Sequence, residues 1–290
     1  MSAGDLLRLA VLAACWGLAF VFIRVAVQPL GAFALVELRA LLGCLVLLLY
    51  ASMSGVAIEW RRNWRKFVIF GALGSAFPFT LIALAQTVLS ASLAVVLVTM
   101  APLFSALIAA FWLGDRMTVR KTGGLLLGLV GVAFLTGFKP DSAGAAPPWA
   151  VALALATAAL YGVAGVYSKR SLAGIAPLAA AAGSQLGAAL LLLPLALVFP
   201  PNAAPSLVQW LNVAALAVFS SALAFILYFR LIDSIGPVKT ASVNYLTPLF
   251  GVAGGVLVLG EPLSANLLIG LAMILAGVTL VLGRSLRAAN

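Results

Sequence analysis

The chain has 290 residues, of which 64% are hydrophobic and only 8% are charged, and its formal net charge is +10. Soluble domains carry about 25% charged residues, so this composition excludes a water-soluble enzyme or nucleic-acid-binding domain and indicates a membrane protein. The sequence contains no histidine, which excludes a histidine metal site or a histidine general base.

Ten apolar stretches follow one another along the chain, separated by short polar breaks. Each is about 20 residues long, the length that a helix needs to cross the hydrocarbon core of a bilayer. The stretches do not alternate apolar and polar residues, as transmembrane strands would. We therefore predict an all-α integral membrane protein whose spans are residues 6–27, 32–53, 67–88, 91–112, 119–137, 148–168, 175–198, 209–230, 238–258 and 264–283.

The first two spans carry the first candidate functional residues. Trp16 lies within the first span, which has no acidic residue, and Arg24 lies near its end. Glu37 and Arg39 lie near the start of the second span. A charge at mid-bilayer costs about 3 kcal/mol or more, so we expect these groups to pair or to reach the interface. One hypothesis is an Arg24–Glu37 ion pair that closes an outer gate, and the alternative is a solvated cluster at the level of the lipid headgroups.

The third span has one stripe at helical spacing, formed by Ser75, Phe79, Ile82 and Gln86. Steps of three and four residues place side chains on one face of a helix. Aromatic groups with a few hydroxyls are typical of small-molecule sites, so Phe79 and Trp16 are candidate substrate-binding residues. The alternative is that these side chains only pack helix against helix or lie in the interfacial aromatic belt.

Later spans repeat these features. Tyr161 in the sixth span corresponds to Trp16, and the eighth span has a similar stripe with Phe225 and Tyr228. In the ninth span Asn244 lies on a polar stripe with Thr240, Thr247 and Gly251, and its amide suits either a substrate or an interhelical hydrogen bond. Pro102 in the fourth span and Pro248 in the ninth are candidate hinge or kink points, because proline removes a helix hydrogen bond.

Two segments of the chain are variants of one pattern. "TMAPLFSALIAAFWLGDR" (residues 99–116) and "YLTPLFGVAGGVLVLGEP" (residues 245–262) align at an offset of 146 residues. Earlier in each half the offset is 145, where Trp16-Gly17 matches Tyr161-Gly162. We predict two repeats, residues 1–140 and 146–290, joined by the linker "KPDSAGAAPP". Because each repeat has five spans, the second repeat enters the membrane inverted.

The basic residues lie mostly on one side of the proposed spans. Of the 17 Lys and Arg residues, all except Arg24, Arg39 and Lys139 lie in alternate loops, at the span ends that border those loops, or near the two termini. Cytoplasmic loops hold the excess of positive charge, so we predict that both termini are cytoplasmic. The loop "GDRMTVRK" then faces the cytoplasm, and its counterpart "GEPLSANL", which has no basic residue, faces outside.

The two five-span halves, the paired Pro-Leu-Phe segments and the opening "ACWGLAFVFIR" resemble the drug/metabolite transporter superfamily, in particular its ten-span EamA branch. The resemblance covers essentially the whole chain. It implies a secondary transporter of the bacterial inner membrane that exports small metabolites by alternating access. Amino acids, including aromatic ones, are the substrates that it suggests first, and the implied functional unit is a monomer. The four-span multidrug members have a glutamate in their first helix; this chain has none there, which puts proton antiport and cation export by that mechanism in doubt.

The competing functions are distinguished by what the spans lack. A multidrug or other metabolite exporter stays open as the alternative within transport. An intramembrane enzyme is disfavoured because the spans show no acid pair and no serine with a base partner, and a receptor because no output domain is present. We expect a small-molecule substrate and the lipid bilayer as partners, and no nucleic acid, metal or cofactor. We also expect transport to be passive or weakly coupled to protons, with Glu37 as the one residue that could provide coupling.

Overall fold

The computed structural model describes residues 2–136 and 146–288, and these residues are helical without any strand. Within this part of the chain eight helices are long and apolar enough to cross a membrane, and a shorter apolar helix, Val243–Leu259, joins them. The predicted class of all-α membrane protein is confirmed at this level. The helices are α1 (Ala3–Met53), α2 (Trp60–Ala85), α3 (Ala91–Leu113), α4 (Val119–Thr136), α5 (Pro148–Ser171), α6 (Pro177–Val198), α7 (Leu207–Gly236), α8 (Val243–Leu259) and α9 (Ala265–Ala288).

Helix α1 contains the first two predicted spans in one kinked element. Its backbone leaves the helical conformation at Gly31, where φ is 71° and ψ is 164°, a region open to glycine. Pro29 lies just before the kink and lacks an N–H group. The loop after α6 binds the carbonyl groups freed there: the Asn202 amide donates to Gln28 O (3.1 Å) and Ala203 N donates to Pro29 O (3.0 Å). Below, residues 3–30 are called the first arm of α1 and residues 32–53 the second arm.

Two later spans differ from their predicted limits. Helix α7 continues past the predicted end of its span to Gly236, and a further turn reaches Thr240 after a kink at Gly236 (φ 79°). Helix α8 begins only at Val243, five residues after the predicted start of that span. The glycine kink and the turn at residues 241–242 interrupt the helix, and apolar composition alone does not show such a break.

Helices α2 and α7 each contain a stretch of the wider π-helix. The stretches are Ala72–Ala76 in α2 and Leu216–Leu223 in α7. They lie about 146 residues apart, and they contain Ser75 and Ser221 respectively. π-Helical turns are rare and often occur at functional sites, so Ser75 and Ser221 are candidate functional residues.

Glycines set the closest contacts between helices. A Cβ atom on Gly17 would lie 2.6 Å from Thr247 O and 2.8 Å from Gly251 N, and one on Gly162 would lie 2.8 Å from Ser105 N. Helices α4 and α9 pack along their length, with Gly124 against Gly277 and Gly131 against Gly270. Small residues let helix backbones approach in this way, as is typical of membrane bundles.

Large apolar side chains cover much of the outer surface of the bundle. Phe111 is 84% exposed, and Leu257 and Val119 are similarly exposed. A surface of this kind suits lipid tails, whereas in water it would promote association.

Candidate functional site

Arg39 lies at the centre of the most polar part of the interior. Arg39 is only 4% exposed. Its Nε donates a hydrogen bond to Ser221 Oγ at 3.1 Å, and its guanidinium carbon lies 3.6 Å from the centroid of the Phe79 ring. Tyr161 packs against the core cluster that contains Phe79. Helices α1, α2 and α7 therefore meet around one buried positive charge.

This position corrects the expectation of a solvated cluster at headgroup level. Arg39 and Glu37 are both buried, at 4% and 6% exposure. Because the second arm of α1 starts after Gly31, Arg39 lies about 10 Å along that arm at 1.5 Å per residue. Spacing along the chain did not show that these two residues face the protein.

Gln185 of α6 is a second buried polar group of this region, and sequence reasoning missed it. The residue is fully buried, and neither its Oε1 nor its Nε2 has a hydrogen-bond partner among residues 2–136 and 146–288. The position of a Cβ atom on Gly43 lies 3.0 Å from Ser221 Cβ and 3.4 Å from Gln185 Nε2. The Gln185 amide therefore lies beside Ser221. It contacts the second arm of α1 at Gly43, one helical turn after Arg39. A glutamine in the middle of an apolar span was the available signal.

Ser75, the counterpart of Ser221, is also fully buried, and its Oγ has no partner within the described part of the chain. The whole predicted stripe of α2 is buried, and Gln86 Nε2 donates to Phe20 O at 2.8 Å. Ser75 and Ser221 thus both lie inside the bundle, each in a π-helical stretch. Only Ser221 reaches a charged group in this conformation.

The predicted aromatic residues do not form a single cluster. Trp16 contacts Tyr228 with ring centroids 5.4 Å apart, and Phe225 stacks on Phe229 at 6.3 Å. Tyr228 also contacts Phe229, at 5.4 Å, which links these two pairs. Phe79, by contrast, lies with Arg39 in another part of the core. The structure therefore divides the set into an Arg39 group and a Tyr228 group.

Asn244 lies near the start of α8 and is partly buried. Its Nδ2 donates to Ala241 O at 3.0 Å, and the neighbouring Thr240 and Thr247 hydroxyls donate to carbonyl groups of their own helical turns. These bonds satisfy the donors locally. The Asn244 carbonyl oxygen and its second N–H group remain for a substrate.

The predicted gate residues have other partners in this conformation. Arg24 Nη1 donates to Gln86 O (2.6 Å) and Thr87 O (2.9 Å) at the carboxyl end of α2. The Arg24–Glu37 ion pair, one of the two hypotheses above, is not formed in this structure, and Glu37 Oε2 has no partner among the described residues. The arginine stabilises the end of a helix, where free carbonyl groups and the helix dipole attract a positive charge.

The Glu261 carboxylate caps the start of helix α3. Glu261 accepts hydrogen bonds from Ala91 N (2.6 Å) and Ser92 N (2.9 Å), and Ser90 Oγ accepts from Leu93 N (3.2 Å). The first three N–H groups of α3 are thus bound, two of them by a residue from the opposite half of the sequence. The sequence repeat identified Glu261, but it did not indicate this contact.

The two candidate hinge prolines differ in their surroundings. Pro102 follows a break in α3, between the segments Ala91–Val98 and Ala101–Leu113. Pro248 lies inside the continuous helix Val243–Leu259. The α-helical pattern is therefore interrupted just before Pro102, whereas the break nearest to Pro248 is the turn before α8.

Metal ligands do not cluster in the described residues: no group of three or more Cys, Asp or Glu side chains is placed to hold an ion there. The polar interior instead contains the Arg39 guanidinium group, the Glu37 carboxyl group, the amides of Gln86 and Gln185, and hydroxyl groups such as those of Ser75 and Ser221. Such groups bind small molecules by hydrogen bonds and charge.

Comparison with known sequences gives a family match over nearly the whole chain. The model of the EamA-like transporter family matches residues 4–137 and 148–283. Bacillus subtilis has an uncharacterized transporter, YvbV, that is 27% identical over 95% of this chain and 90% of its own length. A probable terminal-alkyne amino-acid exporter of Streptantibioticus cattleyicolor is 28% identical over 93% of this chain and 91% of its own. The uncharacterized inner membrane transporter YedA of Escherichia coli is 28% identical over 92% of this chain and 86% of its own.

The fold also has a match among solved structures. One crystal structure aligns with a TM-score of 0.69 and 22% identity, covering 99% of both chains. At this identity the match shows a shared fold.

Proposed function

Since the chain belongs to the EamA-like transporter family and is a multi-pass membrane transporter, we propose that it exports small metabolites, amino acids first among them, by alternating access. The observation that carries the proposal is the contact of Arg39 with Ser221, which joins polar groups of the two family-matched segments inside the bundle. Transporter sites form where such halves meet. The amino-acid exporter among its relatives agrees with this substrate class, and the inner membrane transporter among them agrees with the bacterial inner membrane as location.

We further propose ten spans arranged as two inverted repeats with cytoplasmic termini. The kink at Gly31 supports counting α1 as two spans, and α8 supplies another. Equivalent contacts in the two halves support the repeat. Gly17 packs on residues 247–251, and its counterpart Gly162 packs on residues 104–108, which correspond to part of the same helix in the other repeat. Gly124 corresponds to Gly270 in the repeat, and Gly131 corresponds to Gly277. The contacts Gly124–Gly277 and Gly131–Gly270 are therefore equivalent under the exchange of the two halves. Two similar halves can exchange conformations at similar free energy, which is the physical basis of alternating access.

A multidrug or cation exporter is the second candidate, and the interior argues against it. A buried guanidinium group repels a cationic drug, and residues 6–24 of the first arm contain no acid that would attract one. An exporter of other neutral or anionic metabolites remains compatible with the same site. Catalysis is not part of the proposal, because the family is a transporter family.

Coupling is proposed to be passive or weak. Glu37 is the one carboxylate that is buried well inside a span among the described residues. Proton-coupled transporters use acidic groups of this kind, so Glu37 is the residue to test. Without coupling, the substrate gradient sets the direction, which is outward in a cell that accumulates amino acids.

The test is uptake and counterflow in proteoliposomes with labelled amino acids, with and without an imposed pH step. We expect exchange of at least one amino acid above that of protein-free liposomes, and little response to the pH step. Accumulation that follows the pH step in the native protein and is lost in Glu37→Gln would contradict passive transport. Absence of exchange for the whole amino-acid panel, with transport of another metabolite, would contradict the amino-acid assignment.

A further inference from the structure

Arg39 has no carboxylate partner in the described protein, and we infer that it receives, with the Gln185 amide, a carboxylate group of the transported solute. The inference rests on the proposed transport function and adds the chemical class of the substrate. That class is a solute with a carboxylate group and an apolar body, such as an apolar or aromatic amino acid.

The charge of Arg39 is uncompensated within the described residues. The ion pairs in this part of the chain are Arg8–Asp5 and Arg62–Glu59, both within single helical turns near a helix start. Glu37 lies two positions before Arg39, and side chains at i and i+2 of a helix do not face each other. A buried charge without a partner is unfavourable, so an anion that enters this region is attracted.

The guanidinium group has donors to spare. Its Nε–H is used by Ser221 Oγ, and one face of its plane lies on the Phe79 ring. No acceptor for its Nη groups is found among residues 2–136 and 146–288. The terminal N–H groups of arginine bind both oxygens of a carboxylate in a fork. The serine and the ring thus orient the guanidinium group and leave its terminal donors for a ligand.

The unpartnered Gln185 amide is independent support for a ligand site beside Arg39. A fully buried amide with neither atom bonded is costly in a folded protein and is explained when a ligand supplies the partners. Its Nε2 lies by Gly43 and Ser221, in the same region as Arg39. The Nε2 group can donate to a carboxylate, and Oε1 can accept from the ammonium group of an amino acid. A carboxylate between Arg39 and Gln185 would satisfy both residues.

The surroundings suit an apolar body on the ligand. Phe79 is buried against Arg39, and Tyr161 packs against the same core cluster as Phe79. Aromatic rings offer a large contact area for an apolar side chain. A carboxylate with an alkyl or aryl body fits these groups, whereas an amine without a carboxylate brings a second positive charge beside Arg39.

The experiment measures binding of four related compounds to the purified full-length protein. These are L-phenylalanine, 3-phenylpropionate, 2-phenylethylamine and L-phenylalaninamide, with the corresponding leucine series as a second set. A ligand that binds the native state raises the thermal unfolding midpoint, and at equal concentration a tighter ligand raises it more. We expect the two carboxylates of a series to raise the midpoint and the amine and the amide to leave it unchanged.

Two variants test the residues, and a third is the control. Arg39→Gln and Gln185→Leu should each weaken carboxylate binding at least ~tenfold, the scale of one lost charged hydrogen bond. Arg65→Gln removes an exposed positive charge and should leave binding unchanged. Without ligand, Arg39→Gln also loses the Ser221 hydrogen bond and the Phe79 contact, so the stability comparison uses Gln185→Leu. This variant should unfold no earlier than the native protein, because it removes an unpartnered buried amide. A merely structural role predicts the opposite.

The outcomes separate this inference from the proposed function. Equal binding of carboxylates and carboxylate-free analogues, unchanged affinity in both variants, or no carboxylate binding in either series would overturn it. Transport of carboxylate-free solutes in proteoliposomes, with carboxylates excluded, would overturn it and leave the transport function standing. Carboxylate binding without any transport would support the site and contradict the proposed function.

Discussion

Two arginines of α1 show how local surroundings decide the role of a residue. Arg24 donates to two free carbonyl groups at the end of α2, and helix dipoles favour a positive charge there. Arg39 lies against Phe79 and Ser221 with terminal donors unused in the described region. We therefore assign Arg24 to holding helices together and Arg39 to the proposed substrate site.

At the residue scale, the aromatic set gives a direct prediction. We expect Trp16→Ala, Phe79→Ala and Tyr228→Ala to lower transport by about tenfold or more, since about 1.4 kcal/mol of lost contact corresponds to tenfold. The measurement is proteoliposome uptake at equal amounts of folded protein. Leu126→Ala is the control, because Leu126 is exposed on the outer surface of α4. Equal losses in all four variants would mean that the rings only pack.

At the element scale, the beginning of α3 is held from the opposite half of the chain. Glu261 bonds two of its N–H groups, whereas the matched residue Asp115 has an exposed side chain. The two corresponding loops therefore differ in this conformation: the loop with Glu261 is bonded to a helix of the other repeat, and the side chain of Asp115 is exposed. In the proposed topology the Glu261 contact closes the outer side.

We expect Glu261→Gln to lower the free energy of unfolding by about 1–2 kcal/mol, the value of a lost charged helix cap. Asp115→Asn is the matched control and should change it by less than about 0.5 kcal/mol. Thermal unfolding in detergent measures both. If Asp115→Asn destabilises the protein as much as Glu261→Gln, the asymmetry between the two ends is wrong.

Helix contacts give a second prediction at this scale. Gly17→Ala and Gly162→Ala should each destabilise by about 1–3 kcal/mol, because a Cβ atom at either site meets backbone atoms of a neighbouring helix. Gly123→Ala is the control, since a Cβ atom there meets nothing within 4 Å. Within helix α4 alanine is favoured over glycine by up to about 1 kcal/mol. The interpretation fails if Gly17→Ala and Gly123→Ala shift the unfolding midpoint alike.

At the scale of the whole molecule, the proposed inverted topology is tested by labelling. A cysteine at Ser264 should react with an impermeant maleimide added outside intact cells, and a cysteine at Thr118 should react only after the membrane is opened. The physical reason is the charge bias, since the loop at Thr118 is basic and the loop at Ser264 has no basic residue. The native Cys15 and Cys44 are buried, so the protein without added cysteine serves as the background control. Reversed labelling would contradict the inverted repeat.

The sequence by itself determined the class of the protein and most of its helices. Apolar length identifies spans because the thickness of a bilayer imposes it, and the repeat of residues 99–116 at 245–262 is visible without coordinates. Helical spacing also placed Ser75 and Phe79 on one face of the third span, and both residues are buried. These features depend on composition and on local periodicity, which a sequence contains.

Only the tertiary structure decided which polar groups meet. The kink at Gly31 joined two predicted spans in one helix, and the packing of α6 brought Gln185, which sequence reasoning had passed over, next to Ser221 and Gly43. It also placed Glu261 on α3 and separated Arg24 from Glu37. Contacts between helices depend on rotation and depth in the bundle, and an apolar span has a similar composition on every face. The physical environment of a buried charge such as Arg39 is therefore a property of the packed bundle.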